Sequence, residues 1–131
     1  MRLTSKDIGS WGIFAIEGTV DSVQTKVFTD ALSDYISKGH SNIIMDLSKA
    51  PFLSIGAIRY LNQLCQIIEA KSGRLVLLGA NERIRRHIDI FVSWSKLKEI
   101  NSLWEVIPLQ MAGKLLETST QILTEPTSSA E

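Results

Sequence analysis

Two short apolar runs around a stretch of helical periodicity, over residues 42–79, constrain the fold of this chain more than any other feature. The runs at 43–46 and 74–78 have the length and composition of strands that are buried on both faces of a sheet. Between them, apolar side chains recur every three or four residues, which predicts an amphipathic helix over 55–70 that ends at Gly73. A strand, a helix and a strand in succession form a βαβ unit, so the two strands should lie parallel.

Two further strands are predicted before this unit, at 2–8 and 11–17. The dipeptide between them, Gly9-Ser10, is typical of a hairpin turn, so these strands should pair in antiparallel fashion. In the second strand, apolar side chains occur at both alternating sets of positions. Both faces of the sheet should therefore be at least partly covered.

A first helix is predicted after this hairpin. Asp21 or Ser22 can cap its start by accepting hydrogen bonds from free backbone N–H groups, and Gly39 is a suitable end. Between these points lies an apolar stripe at helical spacing, which should pack on the sheet. The stripe consists of Val23, Val27, Phe28, Ala31, Leu32, Tyr35 and Ile36.

The C-terminal part of the chain predicts less regular structure. Asn81 is a plausible cap for a third helix, and residues 104–107 are assigned to a last short strand. Residues 109–116 should form a closing helix, which Pro108 separates from that strand. The polar run at 118–131 is predicted to be a mobile tail, so that the domain proper covers 1–117.

These elements predict one α/β domain with a small mixed β-sheet. Its N-terminal strands should form an antiparallel pair, its centre should be parallel, and its helices should pack mainly on one face. A chain of 131 residues with 44% hydrophobic residues is large enough to bury one such core.

Charge and cysteine content narrow the classes of function. The 14 basic and 14 acidic residues balance, so no electrostatic footprint for nucleic acid or for an anionic membrane is expected. A single cysteine excludes an intrachain disulfide and a cysteine-based zinc cluster. The N-terminus lacks the apolar core of a signal peptide, and no apolar run approaches the roughly 18–20 residues of a membrane span. We therefore expect a cytoplasmic protein that does not insert into a membrane.

Three segments carry a family resemblance. They are Asp46-Leu-Ser48 at a strand end, Phe52-Leu-Ser-Ile-Gly-Ala-Ile-Arg59 at the start of the central helix, and Gly73 with the strand after it. Together they resemble the signature of STAS domains, the family of bacterial anti-anti-sigma factors, also called anti-sigma factor antagonists. The resemblance extends over roughly residues 10–91.

This resemblance implies a regulatory protein–protein interaction module in a partner-switching pathway and no enzymatic activity. The unmodified domain would bind an anti-sigma factor that is a GHKL-type serine kinase, and the sigma factor would be released. No catalytic residue, metal or cofactor is implied, and the oligomeric state stays open. The implied partner-binding residues are Ser48, Lys49, Phe52, Leu53, Ser54, Ile55, Gly56 and Arg59.

Ser54 is the candidate phosphoacceptor, because a serine at this helix start is phosphorylated by the partner kinase in the family. As a bare residue at a helix start, however, Ser54 is also a preferred helix cap. The ungapped match places Ser54 one position before the family's phosphoserine and Ile55 on the acceptor position itself. Either Ser54 is the acceptor through a one-residue shift, or this chain is a variant that cannot be phosphorylated.

Three other functions remain open. A STAS subunit of a lipid or anion transport complex would share the fold, and a ligand-sensing STAS module would have a cavity under the Ser54 helix. A receiver-like domain would accept a phosphoryl group on Asp46, but it would need an acidic pair and a lysine nearby. Asp46 is more simply a structural carboxylate at a strand end.

Overall fold

The computed structural model describes residues 1–92 and 97–124. The described strands are β1 (Arg2–Ile8), β2 (Trp11–Glu17), β3 (Asn42–Lys49), β4 (Arg74–Leu78), β5 (Lys98–Ile100) and β6 (Gln121–Thr124). The described helices are α1 (Thr25–Ser37), α2 (Ile55–Ala70), α3 (Glu82–Phe91) and α4 (Ala112–Glu117), with 3₁₀ turns at Leu103–Glu105 and Leu109–Met111. The strands form a single sheet in the order β5-β4-β3-β2-β1-β6.

The predicted βαβ unit is confirmed. β3 and β4 are parallel neighbours, with Ile44 opposite Val76, and α2 connects them. β1 and β2 form the predicted antiparallel hairpin, and β2 pairs in parallel with β3. The sheet is therefore mixed, with the predicted antiparallel N-terminal pair and parallel centre.

The sheet is covered on both faces. Side chains of α1, α2 and α3 pack on one face in the larger core, which includes Phe14, Phe28, Met45 and Leu61. The opposite face carries a smaller core around Ile44 and is covered by the chain after β5. The three longer helices thus lie on one face, as predicted. The side chains that cover the opposite face are Leu103, Val106, Ile107, Met111 and Leu115.

The end of α2 differs in detail from the prediction. Ser72, rather than Gly73, takes the left-handed conformation after the helix, with φ of 57°. The Gly73 N–H group donates to the Ile68 carbonyl group at 2.9 Å. A Cβ atom on Gly73 would collide with the carbonyl oxygen of Ser41. Gly73 is therefore required by the close approach of two backbones, and only in this sense does it end the helix.

The start of α1 was predicted too early. Asp21 caps a separate turn, because its Oδ1 atom accepts from the Gln24 N–H group at 2.8 Å, and the helix begins only at Thr25. Val23 lies in this turn and is 78% exposed. Val27 is also exposed, so neither valine belongs to the buried stripe. The burial of Phe28, Leu32, Tyr35 and Ile36 confirms four of the other five residues, and Ala31 is partly buried against the same core.

The strand predicted at 104–107 is wrong. The last parallel strand is β5, and residues 103–105 form a 3₁₀ turn. A capping box causes this turn, since the Ser102 hydroxyl accepts from the Trp104 N–H group and the Glu105 carboxylate accepts from the Ser102 N–H group. Four residues of the connection before β5, 93–96, lie outside the described part of the chain.

The domain extends beyond its predicted boundary at residue 117. β6 pairs with β1 in antiparallel fashion, so residues 121–124 belong to the sheet and not to a tail. The rest of the predicted tail, 125–131, lies outside the described residues. The predicted closing helix at 109–116 is a 3₁₀ turn followed by α4. In the described part of the chain, no helix has the length and apolarity to span a membrane.

Candidate functional site

The candidate site is the loop between β3 and α2, which lies where the central parallel strands end. Three backbone hydrogen bonds tie this loop to the segment after β2. The Gly18 N–H group donates to the Lys49 carbonyl group at 2.9 Å, and the Val20 N–H group donates to the Phe52 carbonyl group at 3.0 Å. The Ser54 N–H group donates to the Val20 carbonyl group at 2.7 Å. The loop therefore has a fixed path.

Ser54 is the N-cap of α2. Its hydroxyl oxygen accepts from the Ala57 N–H group at 3.1 Å, as the helix start requires. The Ser54 and Thr25 hydroxyl oxygens are 2.5 Å apart, so α1 and α2 are joined at their first residues. Only 7% of Ser54 is exposed. The residue is thus a buried helix cap, which is the role that its residue type favours.

Gly56 allows the close approach of the two helix starts. A Cβ atom on Gly56 would lie 3.2 Å from the Cγ2 methyl group of Thr25, which is tighter than an ordinary contact. A larger residue would push against Thr25 and with it against the Ser54–Thr25 hydrogen bond. Gly56 therefore has a steric role in this site, and its exposed backbone contributes to the surface.

The predicted partner-binding residues fall into three groups. Phe52, Ser54, Ile55 and Gly56 line a shallow, largely apolar depression, and Ile55 is 46% exposed there. Leu53 does not reach this surface, because its side chain is fully buried in the core and anchors the loop. The other three, Ser48, Lys49 and Arg59, do not line the depression.

Ser48 and Lys49 line a different depression, together with Glu17. The Lys49 Nζ atom lies 3.7 Å from a carboxylate oxygen of Glu17 in an exposed ion pair. Arg59 is exposed on α2, with its guanidinium 5.2 Å from the centre of the Phe91 ring. The structure therefore brings together only part of the predicted surface.

Residues outside the predicted set complete the depression. Asp21, Ser22 and Thr25 form its α1 side. On the α3 side, the Arg83 guanidinium lies 4.7 Å from the centre of the Phe52 ring, a cation–π contact. The sequence does not place these residues beside the loop, because their positions depend on how the two helix starts and α3 pack around it.

α3 also holds the loop through its cap residue. The Asn81 side chain accepts from the Ile84 N–H group at 2.8 Å and donates to the Pro51 carbonyl group at 3.0 Å. His87 meets the Phe52 ring edge-on, with ring centres 6.4 Å apart. Phe52 is therefore positioned by α3 and not only by its own loop.

Asp46 has a structural role within β3, which does not end at this residue as predicted but continues to Lys49. Its Oδ1 atom accepts from the N–H group of Ser48 at 3.0 Å and from the Ser48 hydroxyl group at 2.7 Å. Within residues 1–92 and 97–124, no three His, Cys, Asp or Glu side chains are grouped as a metal site would require. These contacts favour a structural carboxylate over a phosphoacceptor.

Comparison with known proteins agrees with this architecture. The STAS domain family model matches residues 3–101. The curated protein named "Putative anti-sigma factor antagonist BtrV", from Bordetella bronchiseptica, is 23% identical over 90 residues. That alignment covers 69% of this chain and 78% of BtrV.

Solved structures of the anti-sigma factor antagonist SpoIIAA share the fold. Its unphosphorylated form has a TM-score of 0.62 and 15% identity, with 79% of this chain and 91% of SpoIIAA covered. The phosphorylated form of the Bacillus protein has a TM-score of 0.63 and 14% identity, with 79% of this chain and 96% of SpoIIAA covered. At these identities the structural likeness concerns the fold alone.

Proposed function

This chain belongs to the STAS domain family, and on that premise we propose that it is an anti-sigma factor antagonist. It would act in the cytoplasm as a regulatory module, by binding a GHKL-type serine kinase that serves as the anti-sigma factor. The antagonist role is supported by the similar proteins BtrV and SpoIIAA, which are both named as anti-sigma factor antagonists. Nucleic acid and membrane lipid are not part of the proposal.

The observation that carries this proposal is the surface beside Ser54. Exposed Ile55 and half-buried Phe52 present apolar area around a loop whose backbone is fixed by hydrogen bonds. A rigid loop with an apolar centre suits protein binding, since little conformational entropy is lost when the partner docks. The proposed binding surface therefore centres on Phe52, Ile55 and Gly56, with Arg59, Ser48 and Lys49 farther out.

We propose Ser54 as the site at which this binding is regulated. In the transfer, the Ser54 hydroxyl oxygen would bond to the γ-phosphorus of a nucleoside triphosphate on the partner. The bond to the nucleoside diphosphate would break, and the hydroxyl proton would pass to a base of the partner kinase. A precedent for such a modification is SpoIIAA, whose structure has been solved in a phosphorylated form.

A phosphate on Ser54 would act mainly in the complex. It adds about −1.5 to −2 charges at a helix start, where backbone N–H groups favour an anion. The isolated domain should therefore tolerate it, whereas a partner that covers this surface would have to desolvate the new charge. Phosphorylation would thus release the partner.

The test measures binding of purified variants to the cognate kinase-type anti-sigma factor by titration calorimetry. Ser54→Asp should weaken binding, and Ser54→Ala should keep it and abolish the mass increase seen on incubation with the kinase and ATP. Ser10→Asp is the matched control, because Ser10 is exposed in the β1–β2 turn, at the opposite end of β2 from the site. Equal affinities of Ser54→Asp and the parent chain, or a phosphate on another residue, would refute the role of Ser54.

If the parent chain binds the kinase but is not phosphorylated, the alternative stands. The domain would then be a constitutive binder, in which Ile55 occupies the family's acceptor position. Intact-mass measurement of the parent chain after incubation with kinase and ATP separates these two forms of the proposal.

A further inference from the structure

The hydroxyl group of Thr25 has a defined direction of hydrogen bonding. It donates to the carbonyl oxygen of Asp21 at 2.8 Å. A hydroxyl group carries one proton, so this bond and the 2.5 Å hydrogen bond with Ser54 can form together only if Thr25 accepts from Ser54. The Ser54 proton therefore points at Thr25, and the chain of donors runs from Ser54 through Thr25 to Asp21.

The Ser54 hydroxyl group makes two hydrogen bonds in this arrangement. Its oxygen accepts from the Ala57 N–H group and its proton is donated to Thr25, while only 7% of the residue is exposed. A phosphoryl acceptor needs an accessible oxygen and a proton that a base can take. In this conformation the proton is directed at Thr25 and little of the residue is exposed, so release of the Ser54 side chain from the capped position would favour its reaction.

We propose that Thr25 is a positioning residue that holds the Ser54 hydroxyl group in its buried, capped position and so sets how readily Ser54 is released for phosphorylation. The inference deepens the proposed function, because its regulatory meaning rests on Ser54 as the acceptor. The holding contact itself is a property of the free chain.

The surroundings of Thr25 fit this role. Thr25 is the first residue of α1 and follows the exposed turn that contains Val23, while Ser54 precedes the exposed Ile55. The Thr25–Ser54 bond thus lies between the turn before α1 and the start of α2, and each of these segments presents an apolar side chain to solvent.

The first test needs no partner and follows the Ala57 amide by NMR hydrogen exchange in the full chain. Thr25→Val removes the acceptor and keeps the branched shape, so Ser54 should leave the cap more often. Exchange of the Ala57 amide should then become about two- to tenfold faster, because this factor corresponds to the net free energy of one hydrogen bond. Thr25→Ser keeps the hydroxyl group and should exchange like the parent, and Ser54→Ala marks the uncapped limit. Equal exchange in Thr25→Val and Thr25→Ser would overturn the proposal.

The second test measures the initial rate of Ser54 phosphorylation by the cognate kinase with ATP. Thr25→Val should be phosphorylated about two- to tenfold faster than Thr25→Ser at equal occupancy of the kinase. An equal or slower rate would overturn the regulatory part of the inference. If Ser54 is phosphorylated in no variant, the parent included, the proposal that Ser54 is the acceptor is refuted. The exchange of the Ala57 amide does not depend on that proposal and tests only whether Thr25 holds Ser54 in the cap.

Discussion

Replacement of Ser54 by alanine tests whether the candidate site is built on a helix cap. The substitution removes the oxygen that accepts from the Ala57 N–H group at 3.1 Å and the donor that serves Thr25. Ala57 is fully buried, so water has little access to the N–H group left behind. The change therefore affects the start of α2, which carries much of the larger core.

The expected cost follows from these contacts. Loss of a serine N-cap typically costs about 0.5–2 kcal/mol. A buried donor without a partner costs about 1–3 kcal/mol. Both figures describe the same N–H group and do not add, so we expect Ser54→Ala to lower the free energy of unfolding by about 1–2 kcal/mol.

Urea denaturation followed by far-ultraviolet circular dichroism measures this cost. With a slope of about 1–3 kcal/mol per molar urea, the midpoint should fall by several tenths of a molar unit or more. Ile55→Ala is the control, because this neighbouring side chain is 46% exposed and alanine favours the helix. It should change stability by no more than about 0.5 kcal/mol. If Ser54→Ala is as stable as the parent, the cap does not hold the helix start and the proposed role of Thr25 fails with it.

Three further predictions concern the core and the backbone. Leu61 is fully buried, so Leu61→Ala should cost about 2–5 kcal/mol in the same urea assay, and a cost below about 1 kcal/mol would mean that this face of α2 is not packed. A Cβ atom at Gly73 would collide with the Ser41 carbonyl oxygen, so Gly73→Ala should cost about 1–3 kcal/mol or more, whereas Gly113→Ala, with open space around it, should be neutral or stabilising. Burial, followed by the charge of a neighbouring carboxylate, raises the pKa of Tyr35, so the folded state holds the phenol proton more tightly. Stability from this group should be fully present below pH of about 10 and fall above it, and Tyr35→Phe should reduce that fall when urea melts at pH 9 and 11 are compared.

The central βαβ unit could be predicted from the sequence because its signals are local. Each apolar run has strand length, and the spacing of Ile58, Leu61 and Leu64 defines one buried helix face. A connection of this kind leaves few arrangements for two buried strands, so their parallel pairing followed directly. The cap role of Ser54 was equally local, since the residue type alone favours it.

The C-terminal elements depend on contacts between residues that are far apart in the chain, and a local sequence pattern does not reveal such contacts. β6 is only four residues long and lies in a mostly polar stretch, and it forms a strand because it pairs with the edge of β1, at the other end of the chain. The assignment of a strand to 104–107 followed the order of elements in the resembled family and overlooked the Ser102–Glu105 capping box, although that signal is present in the sequence. Val23 was placed in a helical stripe because the cap at Asp21 does not reveal that a turn intervenes.

The arrangement of side chains around the candidate site could not be assembled from the sequence. Thr25 and Ser54 are 29 residues apart, and their contact depends on how α1 and α2 pack over the sheet. The same packing separates Ser48 and Lys49 from the depression beside Ile55, although all three lie in one short segment. Neighbouring positions in the sequence therefore predicted a larger continuous surface than the structure has. They did not reveal that residues at the start of α1 form the other side of the depression.

The buried position of Ser54 determines how the proposed modification would change the binding surface. A phosphate carries three acceptor oxygens and about −1.5 to −2 charges, and it would not fit where the hydroxyl group now caps α2 with 7% exposure. The modified side chain would have to turn outward, so both the charge and the shape beside Ile55 would change. Leu53 would hold the loop in place from the core side, since its side chain is fully buried. The proposed modification would thus alter the binding surface and remove the cap of α2, while Leu53 keeps the loop anchored in the core and the partner supplies the phosphoryl group.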